Sequence, residues 1–191
     1  MYAILRDPKF YSLVLRLDHD HAEQVRGQGC PCCGGPLHVA DYDRKPRGGP
    51  PWLDEEFCQR LSFCCAKCRR RTTPASVRFL GRRVYLAGAL VLVSALRMGL
   101  SARRVSRLHA LLGVSGHTLR RWRQWWAEAF VQGAFWSQAR AVFLPPLEAG
   151  SLPAALLERF QGAHRRECLL QCLIFLRPLS GAGPGTLAAG R

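Results

Sequence analysis

Two pairs of cysteines, Cys30-Pro-Cys-Cys33 and Cys65-Ala-Lys-Cys68, share a C-x2-C spacing and lie 31 residues apart. A thiolate is a soft, anionic ligand, and two intervening residues let one tight turn aim both sulfurs at a single ion. Four sulfurs from two such turns suit tetrahedral zinc, with Zn–S near ~2.3 Å. Pro31 stiffens the first turn, and Gly34 lets backbone amides swing toward the sulfurs. Cys30, Cys33, Cys65 and Cys68 are therefore the expected zinc ligands. Cys64 with Cys68 is an alternative pairing, less favoured because it breaks the match between the two turns. A catalytic zinc would need an open fourth position and usually a His or carboxylate. A redox pair of the thioredoxin type would need a βαβ surround that neither turn has. Cys58 reads as a spare thiol, and Cys168 with Cys172, an i, i+4 pair on a helix, as buried thiols.

The second chemically loaded stretch is Arg69–Gln124, which holds thirteen arginines and no Asp or Glu over 56 residues. The formal net charge of the chain is +15, and 13 of those charges lie here. Charge of one sign at this density opposes folding by self-repulsion unless a polyanion neutralises it, and nucleic acid is the polyanion that fits. A generally basic composition explains a high pI. It does not explain the absence of acids.

Within that stretch, two short amphipathic segments flank Gly113-Val-Ser115. Ser101 can cap the first, Gly113 can take the left-handed conformation that ends it, and Ser115 can cap the second. Leu119, Trp122 and Trp126 recur at i, i+3, i+7, the spacing of a buried stripe. His117, Arg120, Arg121 and Gln124 then occupy other faces. The pattern resembles a helix-turn-helix, whose second helix enters the major groove. One departure is His109, at the position where such motifs usually place a small residue to let the helices cross. That substitution is expected to loosen or re-angle the pair. Base contacts are expected from His117, Arg120, Arg121 and Gln124. Backbone contacts are expected from Ser115, Arg103 and Arg104, and Arg69, Arg70 and Arg71 are further DNA-binding candidates.

The elements that must position these residues are legible in outline. With 191 residues and 48% hydrophobic content, the chain can form packed cores. Four segments are expected: a helical piece over 1–28, a ribbon with basic linker over 29–80, a helix-turn-helix over 81–131 and a helical extension over 132–191. In the first, Phe10, Leu13, Val14 and Leu17 have helical spacing, Asp20 can cap a second short helix, and His19 and His21 read as surface residues. Leu37–Tyr42 and Leu61–Cys64 alternate as short strands leading out of one cysteine turn and into the other. This arrangement resembles a zinc ribbon, although Arg69 stands where many ribbons have Gly. Asp43–Trp52 reads as an exposed, turn-rich loop, with Trp52 pinning it to the ribbon, and Thr72–Leu80 as a strand or extended linker. Arg82–Arg97 reads as a helix with Leu86, Ala89, Leu90, Val93 and Leu96 inward, ending at Gly99. Pro153–Leu176 resumes helical periodicity, and Gly181–Arg191 reads as a frayed tail. Pairing of the last helix with a second copy is compatible with its apolar pattern and not required by it.

The fold class expected is α+β: mainly α-helical, with a small four-cysteine zinc-ribbon β module and a three-helix helix-turn-helix domain. Val84–Leu96 is apolar but too short for a membrane span, which needs roughly 20 residues. The start shows no secretory pattern, so a reducing, cytoplasmic setting is expected. Cysteine ribbon, Arg-rich linker and helix-turn-helix, in that order over residues 30–126, resemble the N-terminal DNA-binding regions of bacterial transposases and small transposase-like proteins of insertion elements. The resemblance implies double-stranded DNA as partner. Transposases that cut use two Asp and a Glu with two metal ions, whereas here the last Asp is Asp54. Only Glu128, Glu148, Glu158 and Glu167 follow the helix-turn-helix, so binding without cutting is expected, with no enzyme activity and no small-molecule substrate. A host transcription regulator, or an RNA- or protein-gripping ribbon, are the alternatives.

Overall fold

Asp7 and Pro8 set the start of the first long helix. The computed structural model describes residues 2–44, 46–53, 55–80, 85–96 and 99–181. After a single turn, α1 (Tyr2–Leu5), helix α2 runs from Pro8 to Gln28. The Asp7 carboxylate accepts the Lys9 N–H at 3.0 Å, and Pro8 occupies a first-turn position where no N–H is needed. The two helical pieces expected here are one. Val14, Asp18 and Ala22, four residues apart, form a buried line that carries the helix straight past Asp20.

Five short strands follow: β1 (Leu37–Val39), β2 (Tyr42–Asp43), β3 (Gln59–Arg60), β4 (Phe63–Cys65) and β5 (Arg71–Thr72). They form an antiparallel sheet in the order β1-β4-β5, with Leu37 opposite Cys65 and Phe63 opposite Thr72, and a separate β2-β3 ladder. The first expected strand breaks at Asp41, whose carboxylate accepts the Ser62 N–H at 2.7 Å. A small core of Ala22, Cys30, Leu37, Leu61, Phe63 and Cys65 lies beneath, so α2 backs the module.

Among its described residues, the loop expected to be exposed is so only at Asp43, Arg47, Pro51 and Trp52, and the linker is largely buried. Gly48 and Pro50 are buried, and the Leu86 N–H donates to Arg47 O at 3.0 Å. A Cβ on Gly48 would come within 3.0 Å of the Trp122 ring. Trp52 meets Tyr11 of α2 edge-on at 5.3 Å, so it pins the loop to the helix and not to the ribbon. Pro74, together with Ser76–Leu80, is buried as well. Such an irregular segment can be buried only if its polar groups find partners, and Asp18 supplies them. Its carboxylate accepts from the Val77 N–H at 2.7 Å, from the Ser76 hydroxyl and from Arg78 Nε at 2.7 Å. Arg78 also donates to Phe57 O and Gln59 O at 3.2 and 2.9 Å, between the rings of Phe57 and Phe79. One of the thirteen arginines is therefore neutralised inside the protein.

Helix α3 (Ala87–Ser94) has no polar face, and all eight of its residues are buried. The helix expected from Arg82 with one inward stripe is thus shorter and central; Arg82, Arg83 and Arg97 lie outside the described residues. A Cβ on Gly88 would sit 3.1 Å from Phe10, which shows how closely α2 approaches. Helices α4 (Ala102–Leu112) and α5 (Gly116–Trp125) follow, and α5 runs on into a π turn, Trp126–Phe130. After α6 (Ala134–Ala139) and α7 (Ala154–Arg159), α8 (Arg165–Leu176) packs on α3 through Leu169, Cys172, Leu173 and Leu176. One cluster of buried side chains runs from Leu5 to Leu176, joining the segments at both ends of the chain to α3, α4 and α5. Each Leu or Val covered in this way contributes ~1.5–3 kcal/mol. The fold is α+β and mainly helical, and no helix among the described residues is long and apolar enough to cross a membrane. The tail beyond Gly181 lies outside the described residues.

Asp18→Ala would leave Arg78 charged and buried without its partner, a loss of ~3–5 kcal/mol in unfolding free energy. Urea denaturation of the two proteins checks this; a loss below about 1 kcal/mol would show that the pair does not hold the linker.

Candidate metal centre and helix-turn-helix surface

The two cysteine turns repeat one backbone pattern. In the first, the Cys30 N–H donates to Gly35 O at 2.9 Å and the Gly34 N–H to Cys30 O at 2.8 Å. In the second, the Cys65 N–H donates to Arg70 O at 3.0 Å and the Arg69 N–H to Cys65 O at 3.1 Å. The pattern requires a left-handed residue just after the second cysteine. Gly34 takes it with φ +67°, and Arg69 takes it with φ +60°, the one non-glycine residue at positive φ among those described. For an L-residue with a Cβ this costs roughly 1–2 kcal/mol. Gly35 has a different role: a Cβ there would lie 3.2 Å from Cys65 Sγ and 3.0 Å from the Lys67 side chain, so the turns could not close together.

The sulfurs of Cys30, Cys33, Cys65 and Cys68 all lie within 4.8 Å of one another. Cys30 and Cys68 are 3.6 Å apart, and Cys33 and Cys65 3.5 Å. Four sulfurs at ~2.3 Å from a tetrahedral ion are about 3.8 Å apart, so the donor set fits an ion of zinc's size. Backbone amides prepare it. The Cys68 N–H, then that of Lys67, pulls the Cys65 thiol down to about 6, against its burial. Cys30 is lowered chiefly by the Cys32 amide. At Cys68 the Arg70 amide also lowers the thiol, but burial and three crowding sulfurs push it up to about 12.

Strand alternation settles the competition between neighbours. Successive residues of β4 face opposite ways, so Cys65 joins the cluster while Cys64 turns away, its Sγ 3.6 Å from Arg69 O. Cys32 is exposed beside the centre. Cys172 is buried, which raises its thiol, whereas Cys168 is only half-buried, contrary to the expectation of two buried thiols. His19 is partly exposed at the surface, with Nε2 3.4 Å from Glu56.

The helix pair has the expected caps. Ser101 Oγ accepts the Arg104 N–H at 3.4 Å, Gly113 adopts φ +64°, and Ser115 Oγ accepts the Thr118 N–H at 3.3 Å. His109 does not separate the helices. It is exposed, with Nδ1 3.2 Å from Val114 O across the turn. The close crossing lies elsewhere, where a Cβ on Gly116 would meet Val105 at 3.0 Å. The small residue sits on the second helix instead of the first.

Leu119, Trp122 and Trp126 are buried, and the Trp122 ring meets Tyr85 at 5.1 Å. The opposite side of α5 presents His117, Arg120, Arg121 and Gln124, all exposed. Ser115, Arg103, Arg69 and Arg70 are exposed too. Two other arginines are partly engaged: Arg104 Nη1 donates to Gly99 O, and Arg71 donates to Ala40 O at 3.2 Å while lying over Tyr42. Gln124 is not free either, since its Nε2 lies 3.2 and 3.0 Å from the two carboxylate oxygens of Glu128. The i, i+4 spacing of those residues was the signal for this contact. No family model, characterised protein or solved structure matches the chain.

Cys65→Ser should lose bound metal and Cys64→Ser should keep it, as read by elemental analysis of the purified proteins. Arg69→Gly should raise the unfolding free energy of the metal-loaded protein by ~1 kcal/mol, the left-handed strain relieved less the added chain entropy. Chemical denaturation checks the sign, and a loss of stability would contradict the strain assigned to Arg69.

Proposed function

We propose that the chain is a zinc-stabilised protein that binds double-stranded DNA, with α5 as the helix that enters the major groove. The observation that carries this reading is the division of α5 into a buried Leu119–Trp122 side and an exposed His117–Arg120–Arg121–Gln124 side, capped by Ser115. The capped N-terminus has unpaired amides and a dipole that favour a phosphate. Arg120 and Arg121 can each pair in two-pronged fashion with guanine, at ~1–3 kcal/mol of discrimination per good pair. Among the described residues, Arg69, Arg70, Arg103, Arg120 and Arg121 have no acidic partner, and phosphates would supply one.

Zinc held by Cys30, Cys33, Cys65 and Cys68 has a structural role in this reading. Four thiolates close its coordination shell, and the ion contributes folding energy to a module whose own core is small. The build, ribbon then helix-turn-helix, resembles transposase DNA-binding regions, and a role in or beside a mobile element is the biological setting proposed. Binding without cutting is part of the proposal. The acids after α5 are Glu128 in the π turn, Glu148 in a loop, Glu158 in α7 and Glu167 in α8, none on a strand.

Affinity for duplex DNA should fall steeply with salt. If about six arginines meet phosphates, the log–log slope is near −0.9 × 6, roughly −5. Once a preferred site is selected, Arg121→Ala should relax preference at one or two base pairs. Arg103→Ala should weaken specific and random DNA alike and flatten the slope by about one unit. A slope near zero, or stronger competition by structured RNA than by duplex DNA, would overturn the reading.

A further inference from the structure

We infer that Arg104 of α4 and Arg123 of α5 together grip one backbone phosphate of the duplex, beside Gly99. The inference rests on the proposed role of α5 and adds to it the contact that fixes how that helix sits in the groove.

Gly99 stands just before α4 with φ +70°, a conformation that favours glycine. Two guanidiniums meet it. Arg104 Nη1 donates to Gly99 O, and a Cβ on Gly99 would lie 3.8 Å from Arg123 Nη1. That one bond leaves Arg104 four of its five N–H groups. Arg123 has no hydrogen bond from its side chain and no acidic partner among the described residues. Both side chains belong to half-buried residues. Helix geometry explains the meeting. Gly116 and Arg123 stand two turns apart on α5, so they share the flank that meets α4 at Val105. Arg123 therefore lies off the exposed stripe of His117, Arg120, Arg121 and Gln124, and is placed for the DNA backbone rather than for base edges.

Two like charges drawn to one glycine repel each other. No Asp or Glu occurs in the sequence between Glu56 and Glu128, and Glu128 is turned to Gln124. A phosphate diester supplies what is missing: one negative charge shared by two oxygens, each able to accept charge-assisted bonds from a guanidinium fork. One fork comes from each helix. The same phosphate thereby ties α4 to α5 and sets the register of α5 on the duplex.

The test uses the full-length, zinc-loaded chain and a duplex carrying its selected site, with ethylation interference to locate phosphates and a salt titration to count them. Interference at one phosphate should be reduced in Arg123→Ala, which removes no hydrogen bond seen among the described residues. It should be absent in Arg104→Gln/Arg123→Ala, where Gln keeps an amide N–H for Gly99 O, with the remaining pattern and the base preference unchanged. The double variant should flatten the log–log slope by about one unit, because a single phosphate is given up. A flattening of about two units, the sum of two separate contacts, overturns the shared site. So do single variants that lose interference at two different phosphates, or a double variant with the wild-type slope and pattern; in both cases the wild type still selects its site through α5. A wild type that selects no site, or whose binding does not respond to salt, removes the role of α5 itself and the phosphate grip with it.

Discussion

The buried pair of Asp18 and Arg78 is the contact on which the arrangement of the other elements depends. Removing two charges from water costs several kcal/mol per ion. Here the cost is offset because neither group is only half-bonded. Asp18 also satisfies the backbone of Val77, and Arg78 also satisfies the carbonyls of Phe57 and Gln59. The pair thereby joins α2, the turn before β3 and the segment that leads out of the ribbon. That segment delivers the chain to α3, and α3 carries the helix-turn-helix on one side and α8 on the other. The same basic stretch that meets solvent on α5 includes, a few dozen residues earlier, an arginine given wholly to the interior.

The ribbon solves a different problem. Its core is too small to hold four thiolates together against their mutual repulsion, and it orders them through two copies of one turn, each closed by the same pair of backbone bonds. The copies differ at the left-handed position, where Gly34 is at ease and Arg69 is not. The strain at Arg69 is small beside the affinity of a four-cysteine site for zinc, ~10–16 kcal/mol in small zinc modules, so a loaded ribbon can carry it.

Features fixed by neighbouring residues are legible in the sequence. The cysteine spacing, the Ser101 and Ser115 caps and the turn at Gly113 are local chemistry, and each stands where its sequence places it. What was hidden depended on distant parts of the chain. Gly48 reads as a loop glycine until Trp122 is found against it, and Arg78 is indistinguishable by type from the arginines around it. Asp20 carries a genuine cap signal, yet the line Val14–Asp18–Ala22 continues the helix because its burial outweighs one local preference. His109 misled for a related reason. The space at a helix crossing can be provided from either helix, and here Gly116 provides it.

Helix α3 has a consequence for modularity. It has no outward face: α2 covers it at Gly88, α5 lies along another flank and α8 along a third. The helix-turn-helix is therefore not a cassette that can be lifted out of this chain. A fragment ending after the π turn would bare the side of α3 that α8 covers, and one beginning after the ribbon would bare the side facing Phe10. Insertions that lengthen the surface between α6 and α7 leave α3 covered, whereas loss of either chain end uncovers it. In evolutionary terms what can be exchanged is the set of exposed side chains along α5, His117, Arg120, Arg121 and Gln124, and not the elements that carry it.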